Sequence, residues 1–224
     1  IRVCTDPSWP PFEFIDERTG QIAGLDVDLA SALAARLRPQ GPAIRAEMVP
    51  VGFDSLYDAL LAGRCDAILS ALPYEAERTE DVAYAVSYLN GGMVIVVRDE
   101  TAGIAGLGSL PGRVVGVEWG FVPEGDAKQR LLLQTLSLRR YDTAGDVLRA
   151  LQAGEIDAAL VDHISALDFT RQCRGLRIVG QPFTDVSYVI PVRPDAFRLL
   201  AEVNRVLIEM REDGTIAGLL YKWF

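Results

Sequence analysis

The chain has 224 residues, half of them hydrophobic, and a formal net charge of -9 at pH 7. This composition excludes disorder for most of the chain, and the length suits either one domain or two lobes of about 100 residues each. The acidic balance and the lack of clustered Lys and Arg exclude a nucleic-acid-binding surface. We expect no membrane-spanning helix, because no apolar run approaches the ~20 residues that a bilayer requires.

The first part of the chain alternates strands and helices, as α/β proteins do. A strand over residues 1–5 precedes a loop that is rich in proline and aromatic residues and runs to Phe14. Apolar spacing then predicts a helix over 26–37, a strand over 44–49, a helix over 53–62, a strand over 67–70 and a short polar helix over 76–81. Asp26 and Asp28 favour the amino end of the first of these helices.

The chain is predicted to cross between two lobes twice. Glycines precede an apolar strand at 93–97, which favours one crossing near residues 88–92, and a second is expected near 183–188. We therefore predict a discontinuous first lobe of residues 1–90 and 185–224 and a second lobe of residues 91–184. The remaining predicted elements are strands over 114–118 and 137–141, helices over 124–135 and from about 164, and a helical tail from 195 that is broken at Asp213-Gly214 and packs on the first lobe.

One segment of the sequence occurs twice. Residues 56–71 align without a gap on residues 147–162, with identities that include Ala-Gly at 62–63 and 153–154 and Asp-Ala at 66–67 and 157–158. Each copy predicts an amphipathic helix that ends at a left-handed glycine, followed by a short apolar strand buried on both faces. Chance agreement among common residues is the alternative, but the match spans a whole helix-turn-strand unit and indicates two similar α/β lobes.

The repeated strands point to candidate site residues. Ligands bind at the carboxyl ends of strands in open α/β sheets, which places Ser70 and Ala71 in one lobe and Asp162 in the other at such positions. Two edges of this kind that face each other would form a cleft. Asp162 suits an ammonium group, but it suits the N-cap of the helix after it equally well.

Three further residues have the chemistry of a small-molecule site. Prolines restrain the loop after the first strand, so Asp6 and Trp9 would be held at its carboxyl end, with Trp9 as a stacking platform. The alternative is a turn-forming aspartate and a tryptophan that covers the core. Arg78 has a planar guanidinium that suits a carboxylate, although a solvated arginine has the same local pattern.

The sequence offers few residues for metal, redox or nucleotide chemistry. Cys4, Cys65 and Cys173 lack metal-ligand spacing, and we expect no disulfide between Cys4 and Cys65, because opposite ends of adjacent strands would have to meet. His163 is the only histidine, and we interpret it as a structural residue at a helix start. No P-loop and no complete Gly-x-Gly-x-x-Gly motif is present. We therefore expect no cofactor and no metal.

Several landmarks together resemble one protein family. They are Thr5-Asp6-Pro7-Ser8-Trp9-Pro10-Pro11-Phe12-Glu13-Phe14, Gly24-Leu25-Asp26-Val27-Asp28-Leu29-Ala30, Phe53, Glu77-Arg78, Asp213-Gly214-Thr215 and Tyr221-Lys222-Trp223-Phe224. In this set the chain resembles the periplasmic solute-binding proteins for polar amino acids, which serve ABC importers. The resemblance implies two Rossmann-like α/β lobes joined by two crossing strands, the periplasmic binding protein type II or Venus-flytrap fold.

The resemblance also implies roles for individual residues. Arg78 would bind the ligand's α-carboxylate together with a backbone N–H near Val122, and Asp162 would bind the α-ammonium group. The other implied contacts are Trp9 and Phe53 on either side of the ligand side chain, Asp6 at its polar end, and Ser70 and Ala71 from the strand edge.

Two segments depart from the family pattern. Leu72-Pro73 stands where the family usually has Ser or Thr, and proline offers neither a hydroxyl nor an N–H, which could cost tenfold or more in affinity at ~1 kcal/mol per hydrogen bond. Glu118-Trp119-Gly120-Phe121-Val122-Pro123 is bulky where the family often has small residues. Acids at 6 and 118 with nearby aromatics, including Phe121, suit a cation, so we hypothesise arginine, lysine, ornithine or a derivative with a modified head group. The alternative is a surface Glu118 beside a Trp119 that packs within its lobe.

We predict an extracytoplasmic binding protein and not an enzyme. Its partners would be a small-molecule ligand, an amino acid or a derivative of one, and an ABC transporter permease, and we expect a monomer in the periplasm or outside the cell, with a possible lipid anchor before processing. Two alternatives share the scaffold. One is a dehydratase of the cyclohexadienyl dehydratase type with Glu118 as general acid, and the other is the ligand-sensing domain of a receptor.

Overall fold

A computed structural model describes residues 1–38, 42, 44–121 and 127–224. Its strands are β1 (Arg2–Thr5), β2 (Ser8–Trp9), β3 (Glu13–Ile15), β4 (Ile22–Ala23), β5 (Glu47–Pro50), β6 (Ala67–Ile68), β7 (Ala83–Tyr84), β8 (Leu89–Asn90), β9 (Met93–Arg98), β10 (Val114–Glu118), β11 (Ser137–Tyr141), β12 (Ala158–Asp162), β13 (Leu176–Val179), β14 (Ser187–Tyr188) and β15 (Pro191–Val192). Its α-helices are α1 (Leu25–Arg36), α2 (Leu56–Leu61), α3 (Ala127–Gln134), α4 (Ala144–Gln152), α5 (His163–Gln172), α6 (Phe197–Glu212) and α7 (Thr215–Trp223).

The chain divides into two compact units. Unit 1 contains residues 1–89 and 187–223, and unit 2 contains residues 90–186 together with Phe224. The predicted lobe boundaries lie one residue from the first changeover and two residues from the second. None of the described helices has the length and apolar character that crossing a bilayer demands.

Unit 1 is built on a five-stranded sheet. Its strand order is β5-β1-β6-β15-β7, with β1 parallel to β5 and β6 and with β15 antiparallel to β6. One face of the sheet packs against α2 through a buried cluster that includes Leu56, Leu60 and Ile68. A smaller antiparallel sheet, β2-β3-β4, occupies the stretch that was predicted to be a loop.

Unit 2 repeats this architecture. Its strand order is β11-β10-β12-β9-β13, with β10 parallel to β11 and β12 and with β9 antiparallel to β12. Alternate residues of β12 enter two buried clusters: Ala159 and Val161 enter one, and Ala158 and Leu160 enter the other. The predicted strand buried on both faces is therefore confirmed in this copy.

The sequence repeat folds into the same local structure twice. Gly63 has φ 71° and Gly154 has φ 78°, so both helices end at the predicted left-handed glycine. The two repeated aspartates, Asp66 and Asp157, also make the same type of hydrogen bond. The Arg2 N–H donates to the Asp66 carboxylate at 2.8 Å, and the Val114 N–H donates to the Asp157 carboxylate at 2.8 Å. Each aspartate thus attaches the start of its own strand to the strand beside it.

Arginines extend the correspondence beyond the aligned segments. Arg98 in β9 donates to the carbonyl oxygens of Leu151, at 2.9 Å, and Ile156, at 2.7 Å. Arg193, which follows β15, donates to the carbonyl oxygen of Cys65 at 3.0 Å. Cys65 and Ile156 are equivalent in the repeat, so the antiparallel strand supplies an arginine to the same backbone position in each unit.

The expected absence of a disulfide is wrong. Cys4 and Cys65 form a disulfide with a Cα–Cα distance of 5.7 Å. The sequence argument assumed that the two residues lie at opposite ends of neighbouring strands. Cys65 does lie just before β6, but the turn that carries it returns from α2 over the sheet face towards which the Cys4 side chain points, so both residues enter one buried cluster. Cys173 is a free cysteine.

Several predicted boundaries also shift. Residues 53–55 and 76–78 form single 3-10 turns, so the predicted helix over 53–62 narrows to α2 and the one over 76–81 does not form an α-helix. The predicted strand over 67–70 is paired only over 67–68. Ala71 follows with φ 44°, which is incompatible with extended backbone. The described part of the predicted helix over 124–135 is α3.

The helical tail packs on unit 1, as predicted. Asp28 in the first turn of α1 accepts hydrogen bonds from Lys222 at 2.5 Å and from the Trp223 indole N–H at 2.7 Å. Arg36 at the other end of α1 donates to Asp213 at 2.6 Å and to Thr215 at 2.8 Å. Both ends of α1 are therefore tied to the tail.

Candidate functional site

Three of the predicted site residues in unit 1 are joined by hydrogen bonds. The Asp6 N–H donates to Ser70 Oγ at 2.9 Å, and Asp6 Oδ2 accepts from the Phe53 N–H at 3.0 Å. Asp6 follows β1 and Ser70 follows β6. Because these strands are parallel, both residues lie at the carboxyl-terminal edge of the sheet in unit 1. The turn-stabilising role of Asp6 is thus present, and a ligand contact of its carboxylate stays a prediction.

The aromatic residues of this edge are open to solvent. Trp9 is 63% exposed and Phe53 is 54% exposed, although most large apolar side chains are buried. Trp9 lies in β2, where it pairs with Glu13 of β3. Rings with free faces on a sheet edge suit the predicted stacking with a ligand.

Ala71 and Pro73 are held by backbone contacts. The Ala71 N–H donates to Asp26 Oδ2 at 2.7 Å, and the left-handed φ of Ala71 is the only one of its kind among the described non-glycine residues. Pro73 forms an antiparallel bridge with Tyr188. The edge is therefore a fixed turn, and it offers no N–H at position 73.

Two acids beneath this edge are buried. Glu13 is 1% exposed and Asp26 is 0% exposed. Ser70 Oγ donates to Glu13 Oε1 at 3.1 Å, and the Tyr88 hydroxyl donates to Asp26 Oδ2 at 3.1 Å. Burial, reinforced by the neighbouring Asp26, raises the pKa of Glu13 to about 10, so its carboxyl is protonated at neutral pH.

Asp26 titrates closer to neutrality. Burial raises its pKa to about 6, against the opposing effect of the hydrogen bond from the Ala71 N–H. The acid was predicted to favour the helix terminus. It does lie in the first turn of α1, but its side chain points into unit 1 and its partners are Ala71, Tyr88 and Glu13.

Glycine is required where this helix begins. Gly24, the residue before α1, has φ 139°, and a Cβ at this position would lie 2.1 Å from the carbonyl oxygen of Phe12. The close approach brings α1 against the segment that carries Glu13. The Gly24-Leu25-Asp26 landmark thus has a packing reason as well as a polar one.

Arg78 is the last residue of the 3-10 turn over 76–78 and already has partners. Its Nε donates to Glu75 at 2.8 Å, and its guanidinium carbon lies 4.1 Å from the centroid of the Tyr57 ring. The hydrogen bond with Glu75 raises the pKa of Arg78. The side chain is half-exposed, and the contact with Glu75 uses Nε, the nitrogen nearest the chain.

In unit 2, the predicted residues after β10 form a turn. Glu118 ends β10 and is half-exposed, and its carbonyl accepts from the Phe121 N–H at 3.2 Å. Phe121 packs against one buried cluster of unit 2. Trp119 is 66% exposed with Arg140 over its ring at 5.8 Å, so the alternative in which it packs into its lobe is wrong. Val122, the predicted N–H donor, lies outside the described residues.

Asp162 ends β12 and is the N-cap of α5. Its Oδ1 accepts from the Ser165 N–H at 2.8 Å. The neighbouring His163 is the first residue of α5, and its Nδ1 lies 2.7 Å from the carbonyl oxygen of Asn90, which confirms its structural role. Capping uses one carboxylate oxygen of Asp162, so a ligand contact through the other oxygen stays a prediction.

Within unit 1 the structure thus connects Asp6, Phe53, Ser70 and Ala71, and within unit 2 it places Glu118 and Phe121 in one turn. Sequence reasoning gave no role to four residues that surround the predicted contacts: Glu13, Asp26, Glu75 and Tyr88. A signal existed for the first two, because each acid stands between apolar residues inside a landmark segment. None existed for the others, whose partners are set by tertiary contacts.

The described residues contain no group of three or more His, Cys, Asp or Glu side chains that could hold a metal ion. Unit 2 has an open pocket of about 530 Å³, lined by Arg140, Tyr141, Asp142, Asp146, Arg149, Ala150, Ala153 and Glu155. None of the predicted site residues lines this pocket, and its mixed charges select no ligand class.

Curated proteins similar to this chain bind amino acids. The L-cystine-binding protein TcyJ of Escherichia coli (strain K12) is 29% identical over 226 residues, covering 100% of this chain and 82% of the relative. The lysine/arginine/ornithine-binding periplasmic protein of the same organism is 28% identical over 232 residues, covering 100% of this chain and 87% of the relative.

Solved structures similar to this chain include an arginine-binding protein and an ancestral dehydratase. An ancestral arginine-binding protein bound to arginine is 33% identical with a TM-score of 0.57, covering 100% of this chain and 97% of the other. An ancestral cyclohexadienyl dehydratase is 26% identical with a TM-score of 0.84, covering 100% and 91%. These similarities confirm the predicted two-lobed α/β type II fold. The sequence model of the bacterial extracellular solute-binding proteins, family 3, matches residues 1–224, and the chain belongs to that family.

Proposed function

We propose that this protein captures an amino acid or a close derivative between its two lobes and delivers it to an ABC importer. The observation that carries the proposal is the family match over the whole chain. It is joined by relatives that are similar over all of this chain and are named for the amino acids that they bind. The joined edge of Asp6, Ser70 and Phe53 supports it, because it is a restrained polar surface with an open aromatic face.

The ligand in this proposal is cationic. Three acids, Asp6, Glu118 and Asp162, stand among the proposed contacts, against one cation at Arg78. Exposed aromatic rings at Trp9 and Phe53 suit a guanidinium or an ammonium group. Relatives that bind lysine, arginine and ornithine, or arginine alone, support the same class.

Each proposed contact has a role. Arg78 binds the α-carboxylate with a backbone N–H near Val122, and Asp162 binds the α-ammonium group. Trp9 and Phe53 enclose the ligand side chain, with Phe121 and Glu118 contributing from unit 2. Asp6 contacts the cationic end, and the edge formed by Ser70, Ala71 and Pro73 supplies the remaining surface. Pro73 removes one N–H from that edge, which favours a ligand whose head group needs fewer donors.

A dehydratase is the second candidate, and the similarity to the ancestral cyclohexadienyl dehydratase favours it. In that reading Glu118 would protonate a leaving group. We propose the binding function ahead of it, because the curated relatives reported above are binding proteins. The mass of a bound compound before and after incubation with the protein separates the two, since a binder returns it unchanged.

The cellular context follows from the same relatives. Proteins named as periplasmic are similar over the whole chain, so we place this protein in the periplasm or outside the cell, where a disulfide is stable. A lipid anchor before processing, a monomeric state and a permease partner belong to this proposal. A receptor's sensing domain would bind in the same way, and a permease gene beside its own would favour the importer.

A thermal-shift screen over amino acids, amines and opine-like compounds tests the proposal. A ligand present at 100 times its Kd adds about 2.7 kcal/mol to the free energy of unfolding. We expect stabilisation by L-arginine, L-lysine or L-ornithine. Stabilisation by L-glutamate or L-aspartate with no response to any cationic compound would contradict the ligand class, and no response to any compound in the screen would contradict the proposal.

A further inference from the structure

If the buried Glu13 and Asp26 of unit 1 are both ionised, each has one carboxylate oxygen that accepts no hydrogen bond from the described residues. Glu13 Oε1 accepts from Ser70, and Asp26 Oδ2 accepts from the Ala71 N–H and the Tyr88 hydroxyl. The two remaining oxygens, Glu13 Oε2 and Asp26 Oδ1, are buried acceptors without a donor in the described part of the chain. Buried polar atoms of this kind destabilise the folded state when they have no hydrogen-bond partner.

One proton shared between these two oxygens would satisfy both. Burial, the charge of Asp26 and a hydrogen bond between the two side chains all raise the pKa of Glu13, and the other oxygen of each acid already has a donor. Two buried carboxylates that interact with each other cannot both be ionised at modest cost, so such a pair retains a proton. A proton on Glu13 Oε2 that is donated to Asp26 Oδ1 leaves Oε1 free to accept from Ser70, in agreement with the observed bond.

This carboxyl pair is connected to the predicted ligand-binding edge at two points. On one side Glu13 holds Ser70, and Ser70 accepts the Asp6 N–H. On the other side Asp26 holds Ala71 in its left-handed conformation. A non-glycine residue in that region is strained and persists only where its surroundings enforce it.

We propose that Glu13 and Asp26 are positioning residues, in which a protonated Glu13 donates to the Asp26 carboxylate and the pair holds Asp6, Ser70 and Ala71 in their ligand-receiving arrangement. The assignment of these three residues as ligand contacts rests on the proposed function. The carboxyl pair and its hold on the edge are properties of unit 1 and can be tested without a ligand.

Infrared spectroscopy tests the proton directly. The carbonyl stretch of a protonated carboxylic acid is distinct from that of a carboxylate, so the protein in D₂O at pH 7 should have this band. Glu13→Gln should remove it, and the exposed Glu17→Gln should retain it. No such band at pH 7, or a band that survives Glu13→Gln, would overturn the shared proton.

Amide hydrogen exchange tests the positioning. Glutamine at 13 can accept from Ser70 and donate to Asp26, so Glu13→Gln should leave exchange of the Asp6 and Ala71 amides within about threefold of wild type. Glu13→Leu can do neither, and we expect both amides to exchange roughly tenfold faster or more, with the β10 amides of unit 2 unchanged. Unchanged exchange at Asp6 and Ala71 in Glu13→Leu would overturn the role.

A second variant covers the case in which Glu13→Leu does not fold. Ser70→Ala breaks the link to Asp6 and leaves the Asp26 bond to Ala71 intact, so only the Asp6 amide should lose protection, and equal loss at both amides would contradict the two-point attachment. L-arginine is the binding probe, and its Kd for Glu13→Gln should stay within about threefold of wild type. Failure of the wild type to bind L-arginine would count against the cationic ligand, while infrared and exchange data would still decide the carboxyl pair.

Discussion

The carboxylate of Asp162 has one observed role and one proposed role. It caps α5 through the Ser165 N–H, and it is the proposed partner of the ligand's ammonium group. Asparagine caps a helix about as well as aspartate but carries no charge, whereas alanine can do neither. The two roles can therefore be separated by substitution.

Asp162→Asn should retain the stability of unit 2 and lose ligand affinity, while Asp162→Ala should also lower the free energy of unfolding by about 1 kcal/mol. Chemical denaturation measures the first quantity and calorimetric titration with L-arginine the second. Full affinity in Asp162→Asn would confine the residue to its capping role.

Glu75 controls the charge near the proposed carboxylate contact. Its carboxylate binds Nε of Arg78 and would repel an incoming ligand carboxylate. Glu75→Gln keeps an acceptor for Nε and removes the charge, so we expect affinity for an α-amino acid to rise by up to about fivefold, the range of an exposed ion pair.

The decarboxylated analogue of the same amino acid is the control for this substitution. It lacks the repelled group, so its affinity should be the same in Glu75→Gln as in wild type. An equal gain for both compounds, measured by calorimetry, would mean that Glu75 does not act on the ligand's carboxylate.

The helix-turn-strand units were the most predictable elements. Their helix ends, left-handed glycines and buried strands are encoded within about 16 consecutive residues, and local signals suffice there. The disulfide was missed for the opposite reason. The position of Cys65 depends on how the turn before β6 crosses the sheet, which no local pattern specifies.

Glu13 in β3 and Asp26 in α1 should make the stability of the protein depend on pH. Between its ordinary pKa of 4.5 and the raised value of about 10, Glu13 is protonated when folded and ionised when unfolded. Folding takes up a proton in this range. The stabilisation of the folded state by Glu13 is therefore complete below pH 4.5 and is lost as the pH rises towards the raised pKa. Asp26, with a pKa raised to about 6, acts in the same direction from its ordinary value of 3.8.

Glu13→Gln should flatten this dependence. Between pH 6 and 9 the free energy of unfolding of the wild type should fall more steeply than that of Glu13→Gln, by up to about 1.4 kcal/mol per pH unit, the limit for one proton. Asp6 and Tyr88 also act on the pair and remain in both proteins. Parallel profiles from urea titrations would contradict a protonated Glu13.

For the whole molecule, the type II fold could be predicted because its landmarks are spread along the entire sequence. The candidate site was only partly predictable. Residues at strand ends, such as Asp6 and Ser70, follow from topology, whereas the supporting contacts of Glu13, Asp26 and Glu75 depend on side chains that meet only in the folded unit.

The disulfide should stabilise unit 1 selectively. It joins residues 61 apart in unit 1, and closing a loop of this length in the unfolded chain is worth about 4 kcal/mol. Reduction should lower the unfolding temperature of unit 1 in a calorimetric scan and leave unit 2 unchanged, provided the units unfold separately. Cys65→Ser should reproduce the effect and make the protein insensitive to reductant. No shift on reduction would contradict a bridge between Cys4 and Cys65.

Capture of one cationic amino acid by residues of both units is tested most directly by calorimetric titration of L-arginine into wild type, Arg78→Gln and Asp162→Asn. We predict saturable one-to-one binding to the wild type and a loss of roughly tenfold or more in each variant, because each removes a charged partner of the ligand. Unchanged affinity in either variant, or binding of L-glutamate with none of L-arginine, L-lysine and L-ornithine, would contradict the account.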